Sequence, residues 1–286
     1  MARSLNQFMA QWLDGWRFDL PSAWRPLFNG FELPIRAMDP NLSIKDGEII
    51  YPGRRNQALP GAPDGAHLFR AFDGIAPTEV RCVLLGQDPY PDVHFATGRA
   101  FEAGAYDRWS DLNGMASHSM RSLIQCVYAA RCGNPSYTRG VAEWPCALAA
   151  VSDPRNRFPA PGALAQHWVD QGVLLLNSSL TISRFSVDGH PHQIDGHLPL
   201  WRPFVARVIR HLLDAEPQRI VFILFGDAAS QTAVQGGLTG NFDDPDHPSV
   251  VAAPHPAAGD AFLRRRNPFI ECNRKLEHMN QAPIDW

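Results

Sequence analysis

Three polar side chains stand just after apolar runs, and together their types define a chemistry. Asp88 follows RCVLLG within LGQDPYPDVHFATGRAFE, Asn177 closes GVLLLN, and His255 follows SVVAAP. A carboxylate activates water or stabilises a developing cation, and an imidazole donates a hydrogen bond to developing negative charge. An amide offers a donor and an acceptor side by side, which suits the planar edge of a nucleobase. Tyr90 and Phe101, downstream on the Asp88 loop, supply flat rings to pack on such a base. The set fits a bond whose transition state separates into a cation and an anion, as an N-glycosidic bond does. Taken singly, each residue has an ordinary reading: Asp88 as a turn former before Pro89, Asn177 as a cap, His255 as a satisfied loop histidine.

What argues for the set is the elements that must carry it. Four short apolar runs, RCVLLG (81–86), GVLLLN (172–177), RIVFILFG (219–226) and SVVAAP (249–254), read as strands buried on both faces. Between them lie stretches of helical period. MRSLIQCVYAAR (120–131) puts Leu123, Cys126, Val127 and Ala130 on one face. LWRPFVARVIRHLLDA (200–215) does the same with Val205, Val208, Ile209, Leu212 and Leu213. Strands alternating with helices predict an α/β fold in three layers, a central four-stranded parallel sheet between helices. In such a sheet ligands bind at the carboxyl ends of the strands, so Asp88, Asn177 and His255 are expected along one rim.

Composition bounds the rest. A chain of 286 residues, 45% hydrophobic and 19% charged, has enough material for a large core. No apolar run is long enough to span a bilayer, and MARSLNQFMAQWLDGWRF reads as a surface helix rather than a signal peptide. Five scattered cysteines fit reduced thiols in a cytoplasmic, bacterial-type protein. No His/Cys cluster offers a metal, and no cofactor is expected. The net charge of −3 gives no global basic signal, but Arg264, Arg265 and Arg266, followed by Arg274 and Lys275, form a local basic patch. Residues 1–48 read as an N-terminal helical and irregular extension packed on a domain spanning 49–286.

At this point the motifs acquire a family. LGQDPYPD…GRAFE resembles the family-1 uracil-DNA glycosylase signature LGQDPYH…GLAF. LLLNSSLT (174–181) resembles that family's LLLN-x-x-LT, VFILFGDAA (221–229) its VFLLWG-x-x-A, and APHP (253–256) the start of its APHPSPLS. All four come in the family's order, over roughly residue 49 to the C-terminus. The resemblance implies the uracil-DNA glycosylase fold and a monofunctional DNA glycosylase that acts as a monomer on single- or double-stranded DNA with a flipped base. It implies that Asp88 orients water and stabilises the sugar cation, and that His255 hydrogen-bonds the departing base at O2. Gln87 would line the pocket, Tyr90 exclude the thymine methyl, Phe101 stack on the base, and Asn177 read its N3–O4 edge. Ser117 or Ser119 would contact backbone phosphate. Independently of the resemblance, the basic run Arg264, Arg265 and Arg266 is expected at DNA phosphates, the ordinary reading being a solvated face.

Several positions depart from the family pattern. Its His after Tyr is Pro91, and its SPLS is Ala257-Ala258-Gly259-Asp260, which lacks the wedge leucine and adds a negative charge where phosphates should pass. A replacement wedge is expected at Phe262 or Leu263. Segment 131–168 reads as a long loop, and His190, His192 and His197 as residues of a DNA-facing loop rather than metal ligands. Alternatives with the same pocket are excision of a modified pyrimidine, such as a modified cytosine of phage DNA in a defence role, and DNA binding without catalysis. A nucleoside hydrolase on the same scaffold is the rival from another class; it would have no use for the basic segment.

Overall fold

The computed structural model describes residues 3–102, 104, 106–114, 118–215 and 219–286. The four apolar runs form one parallel sheet of β1 (Cys82–Gly86), β2 (Val173–Asn177), β3 (Val221–Phe225) and β4 (Val250–Ala253), in the order β2-β1-β3-β4. Every residue of the first three strands is buried, which is why they show no polar alternation: both faces lie under helices. Register sets the rim, since Gly86 pairs with Asn177, Leu85 with Leu224, and Phe225 with Ala253.

Parallel neighbours need crossovers, and helices supply them. Helix α1 (Leu5–Trp12) lies near the N-terminus. Helices α2 (Ser119–Cys132), α3 (Trp144–Ser152) and α4 (Pro161–Val169) lie between β1 and β2. Helix α5 (Leu198–Ala215) leads to β3, α6 (Asp227–Gln235) to β4, and α7 (Asp260–Leu263) and α8 (Pro268–His278) follow. The periodic faces foreseen on α2 and α5 are the ones that pack inward: Leu123, Cys126, Val127, Val205, Val208, Ile209 and Leu212 are all buried.

Segment 131–168 is not the long loop that its prolines suggest. It holds α3 and α4, each with a proline in the first turn, where the missing N–H has no intrahelical partner to lose. Trp144, Ala147, Val151, Leu164, Ala165 and Trp168 bury one face of the pair.

The first 48 residues share the main core. Phe28 stacks on Phe204 of α5 with ring centroids 4.1 Å apart, and Trp16 meets Phe204 edge-on at 5.6 Å. Trp24 is fully buried and donates its indole N–H to the Ile75 carbonyl at 2.8 Å. A short antiparallel ladder, Arg3–Ser4 on Ser43–Ile44, closes this wrap on itself.

Candidate active site

The carboxyl ends of the strands bring the expected residues together. Beyond the last paired residues of β1 and β2 the two chains stay joined: the Ser178 N–H donates to the Gly86 carbonyl at 3.0 Å and the Ser179 N–H to the Gln87 carbonyl at 2.9 Å. This locks the Gln87-Asp88 turn beside Asn177. On the other side, the Gly226 N–H donates to the Ala253 carbonyl at 2.9 Å, and a Cβ on Gly226 would stand 3.4 Å from that of His255. The rim therefore runs Asn177, Gln87 and Asp88, Gly226, His255.

Its floor is Phe101. This residue has φ 56°, the left-handed region that a bulky side chain rarely adopts, at a cost of roughly 1–3 kcal/mol. The surroundings hold it there: the Ala100 N–H donates to the Leu175 carbonyl of β2, and the ring packs 5.2 Å from Phe225 and 5.9 Å from His255. Gly86 makes room for this arrangement. A Cβ at Gly86 would lie 2.5 Å from Asn177 Oδ1 and 3.1 Å from the Phe101 ring, so the amide head and the ring both close on this glycine. Asn177 is buried, yet its side-chain amide has no hydrogen-bond partner among the described residues. Its amide atoms are not among the buried unpartnered ones, so the open valences reach solvent at the rim and are available to a ligand with complementary groups.

Asp88 is partly buried. Its Oδ2 accepts the Gln87 Nε2–H at 3.0 Å and the Gln193 Nε2–H at 3.1 Å. Burial raises its carboxyl above the ordinary range, opposed by the two amide donors, which favour the charged form. His255 is pushed the other way, its imidazole lowered by burial. Its Nδ1 accepts the Ala257 N–H at 3.2 Å, which puts the proton of the neutral ring on Nε2. The site thus sets a carboxyl group steadied by two amide donors against a neutral imidazole donor. Tyr90 stands edge-on to Phe95, which stacks on Tyr106. Burial raises the Tyr90 phenol, so it stays a neutral wall.

Other expected residues lie elsewhere. Ser119, anticipated at a phosphate, is buried at the start of α2 with its hydroxyl 3.5 Å from Tyr90 Oη, so it backs the tyrosine. Ser117 lies outside the described residues. Phe262 and Leu263, anticipated as a wedge, are core residues on the inner face of α7, with Phe262 5.7 Å from Phe225. Arg264 is exposed but occupied: it pairs with Asp260 Oδ2 at 2.8 Å and donates to the Arg139 carbonyl at 3.2 Å. Asp260 Oδ1 also accepts the Val141 N–H at 2.8 Å, so this acid docks the segment before α3 onto the His255 loop. Arg265 and Arg266 are exposed and line an open cleft of about 670 Å³ beside the edge strand β4. Asp227, Asp243, Asp244 and Lys275 share that cleft, so its charge is mixed.

The histidines of 190–197 are not a DNA-facing set. His192 and His197 are buried in a π-helical turn (His192–His197) that runs directly into α5. Hydrogen bonds order them into a directed chain: the Trp201 indole donates to Thr181 Oγ1, which bonds His197 Nδ1 at 2.8 Å. Ser183 Oγ then bridges His197 Nε2 and His192 Nδ1, 2.8 Å from each. With both rings neutral the chain runs in one direction, from the Trp201 indole, which only donates, through Thr181, His197 and Ser183 to His192 Nδ1, which accepts. Burial accordingly lowers His197 to about 3 and His192 to about 4. Only His190 is left partly exposed, and its Nδ1 accepts the His192 N–H at 3.1 Å.

Sequence reasoning missed Gln193. Nothing in HPHQIDGH sets this residue apart, because its partner is 105 residues away.

Comparison with known proteins gives this geometry a context. A family model described as the uracil DNA glycosylase superfamily matches residues 72–277. A curated uracil-DNA glycosylase of Exiguobacterium sibiricum is 30% identical over 228 residues, 78% of this chain and 83% of its own length. One of Serratia proteamaculans is 30% identical over 243 residues, 84% of this chain and 82% of its own. Among solved structures, wild-type UNG from Nitratifractor salsuginis superposes with a TM-score of 0.54 at 23% identity, over 99% of this chain and 97% of that one. A mimivirus UNG variant in complex with UGI gives 0.58 at 19% identity, over 96% and 94%. At those identities the two structures bear on the fold.

Proposed function

The chain belongs to the uracil DNA glycosylase superfamily, and from that premise we propose that it hydrolyses the N-glycosidic bond of uracil in DNA, leaving an abasic site. The observation that carries the reading is the unpartnered Asn177 amide, which with the Phe101 ring closes on Gly86 at the rim. A pyrimidine lying on that ring would present its edge to the amide. Uracil offers N3–H as a donor and O4 as an acceptor, which an amide matches with its own oxygen and nitrogen. Gln87 lines the pocket, and Tyr90 closes it on the C5 side, leaving no room for a methyl group.

Bond cleavage then follows from the charges. The C1′–N1 electron pair leaves with the base, and negative charge gathers on O2, where His255 donates its Nε2–H. The sugar becomes a cation, which the Asp88 carboxylate stabilises. Water adds to C1′, its oxygen forming the new bond and its proton passing to Asp88. A neutral donor and an anionic acceptor are the protonation states this division of labour needs.

Reaching such a pocket requires the base to leave the stack, at a cost of a few kcal/mol. With Phe262 and Leu263 in the core, the apolar group to enter the vacated space is Val187, which is 91% exposed. It sits on the turn whose Ser186 N–H donates to Gln193 Oε1, and Gln193 in turn touches Asp88. The protein acts as a monomer in the cytoplasm, on single strands and duplexes.

The test is base release from uracil-containing single-stranded and duplex DNA, read as strand breaks at abasic sites after alkali. Breaks on either substrate are expected, and their absence beside a working control enzyme overturns the reading. Release of a modified cytosine and not of uracil would move the same chemistry to the other pyrimidine.

A further inference from the structure

On the strength of that reading, we propose that Gln193 is a positioning residue for the reaction, an amide that with Gln87 occupies one oxygen of Asp88 and turns the other toward substrate and water. Both donors reach the same atom, Oδ2, at 3.0 and 3.1 Å, while Oδ1 accepts no hydrogen bond among the described residues. A carboxylate fixed through one oxygen cannot swing, and its free lone pairs point one way.

The construction around Gln193 is that of a rigid support. The residue is 2% exposed. Its Oε1 accepts two backbone N–H groups, from Ser186 at 3.0 Å and from His190 at 2.8 Å. Those bonds fix which end of the amide is nitrogen, and so direct Nε2–H at Asp88. The backbone beneath it is a π-helical turn, an uncommon conformation that tends to occur at functional sites, held here by the chain from Trp201 to His192. The loop of Asp88 offers no substitute: Pro91 has no polar side chain, and Asp92 Oδ1 accepts the His94 N–H.

The groups around Asp88 make the consequence legible in pH. Burial and the two amides act on its titration, and no ionised neighbour does among the described residues. On the Gln193 turn, Arg184 pairs with Glu48, Asp188 and Asp195 are exposed, and His192 is neutral. Across the rim, Tyr90 and His255 are neutral as well.

Q193E is the informative variant. A carboxyl there still accepts from Ser186 and His190, so the turn is kept, while the contact with Asp88 changes from donor to acceptor. Single-turnover uracil excision by the wild type should fall as pH drops and Asp88 takes up a proton. In Q193E the rate near neutral pH should fall about tenfold to a hundredfold, the scale of one hydrogen bond to a charged group. It should then recover as pH is lowered and the new carboxyl regains a proton to donate. A Q193E profile that parallels the wild type, with rates within about twofold, overturns the proposal, since a purely structural role moves melting temperature but not the shape of the profile. If Q193E fails to fold, Q193M must shift the acid limb of the rate to higher pH, and an unmoved limb overturns the proposal equally. A wild-type protein with no excision activity would instead refute the functional reading itself.

Discussion

At the residue scale, the site is built from opposed environments. Asp88 and His255 are both displaced by burial, in opposite senses: burial works against the Asp88 carboxylate, which the Gln87 and Gln193 amides support, and it favours the neutral ring of His255. Asp88→Asn and His255→Ala should each reduce single-turnover excision by at least about a hundredfold, measured with melting temperature as a control for folding. The sign of the pH dependence follows from the same shifts. In the proposed mechanism Asp88 acts as the carboxylate, so the rate should be lost as pH falls through its raised pKa, with the loss beginning above the ordinary carboxylate range. In the same mechanism His255 donates as the neutral ring, and its pKa is lowered, so the profile should show no break at the ordinary histidine value. Gly86→Ala is the sharpest packing test, because its Cβ would stand 2.5 Å from Asn177 Oδ1. A displacement of that order should cost up to about a hundredfold in rate, visible in excision assays before any large change in melting temperature. The types of these residues and their places after apolar runs were legible in the chain. The burial of Ser119 was not, because serine is equally at home under a tyrosine and against a phosphate.

At the element scale, the decisive feature is the turn between β2 and α5. Its histidines look like surface residues in sequence because they alternate with Gly, Pro and Asp. The fold buries two of them where Thr181 and Ser183 partner three of their four ring nitrogens, with Trp201 holding Thr181 in place. The arrangement has a pH consequence. Their folded values of about 3 and about 4 lie below the unfolded 6.5, so the unfolded chain binds more protons throughout that window. The stability they confer is whole above 6.5 and is lost as pH falls through 6.5 toward the folded values. Urea midpoints should therefore drop across that interval, and His192→Gln should make the drop shallower. Val187 belongs to the same turn, and its test separates strands from duplexes. Val187→Asp should lower excision from duplex DNA about tenfold or more and leave single-stranded DNA nearly untouched, since only a duplex leaves a gap to be filled. Equal loss on both substrates would remove Val187 from that role.

At the scale of the whole molecule, charge and packing are arranged unevenly. The chain carries a net charge of −3, yet Arg265 and Arg266 face an open cleft and Arg264 is held by Asp260. Replacing Arg265 and Arg266 together should reduce the salt dependence of DNA binding by roughly two charges, whereas replacing Arg264 should change it less. The N-terminal wrap is part of the core, so Phe28→Ala should cost about 3–5 kcal/mol in a denaturant titration, through lost contact with Phe204.

The sequence by itself determined the sheet and its rim. Short apolar runs closed by turn residues and separated by helical stretches read as strands covered on both faces, parallel pairing demands crossovers, and together these collect Asp88, Asn177 and His255 at one edge. The tertiary structure alone decided which further residues face that edge. Gln193 reaches Asp88 across 105 positions of chain, Phe262 and Leu263 turn inward, and two helices form within a proline-rich segment. A hydrophobic pattern states how deeply a residue is to be buried. It does not state which partner will be found there, because that depends on distant elements docking in one register.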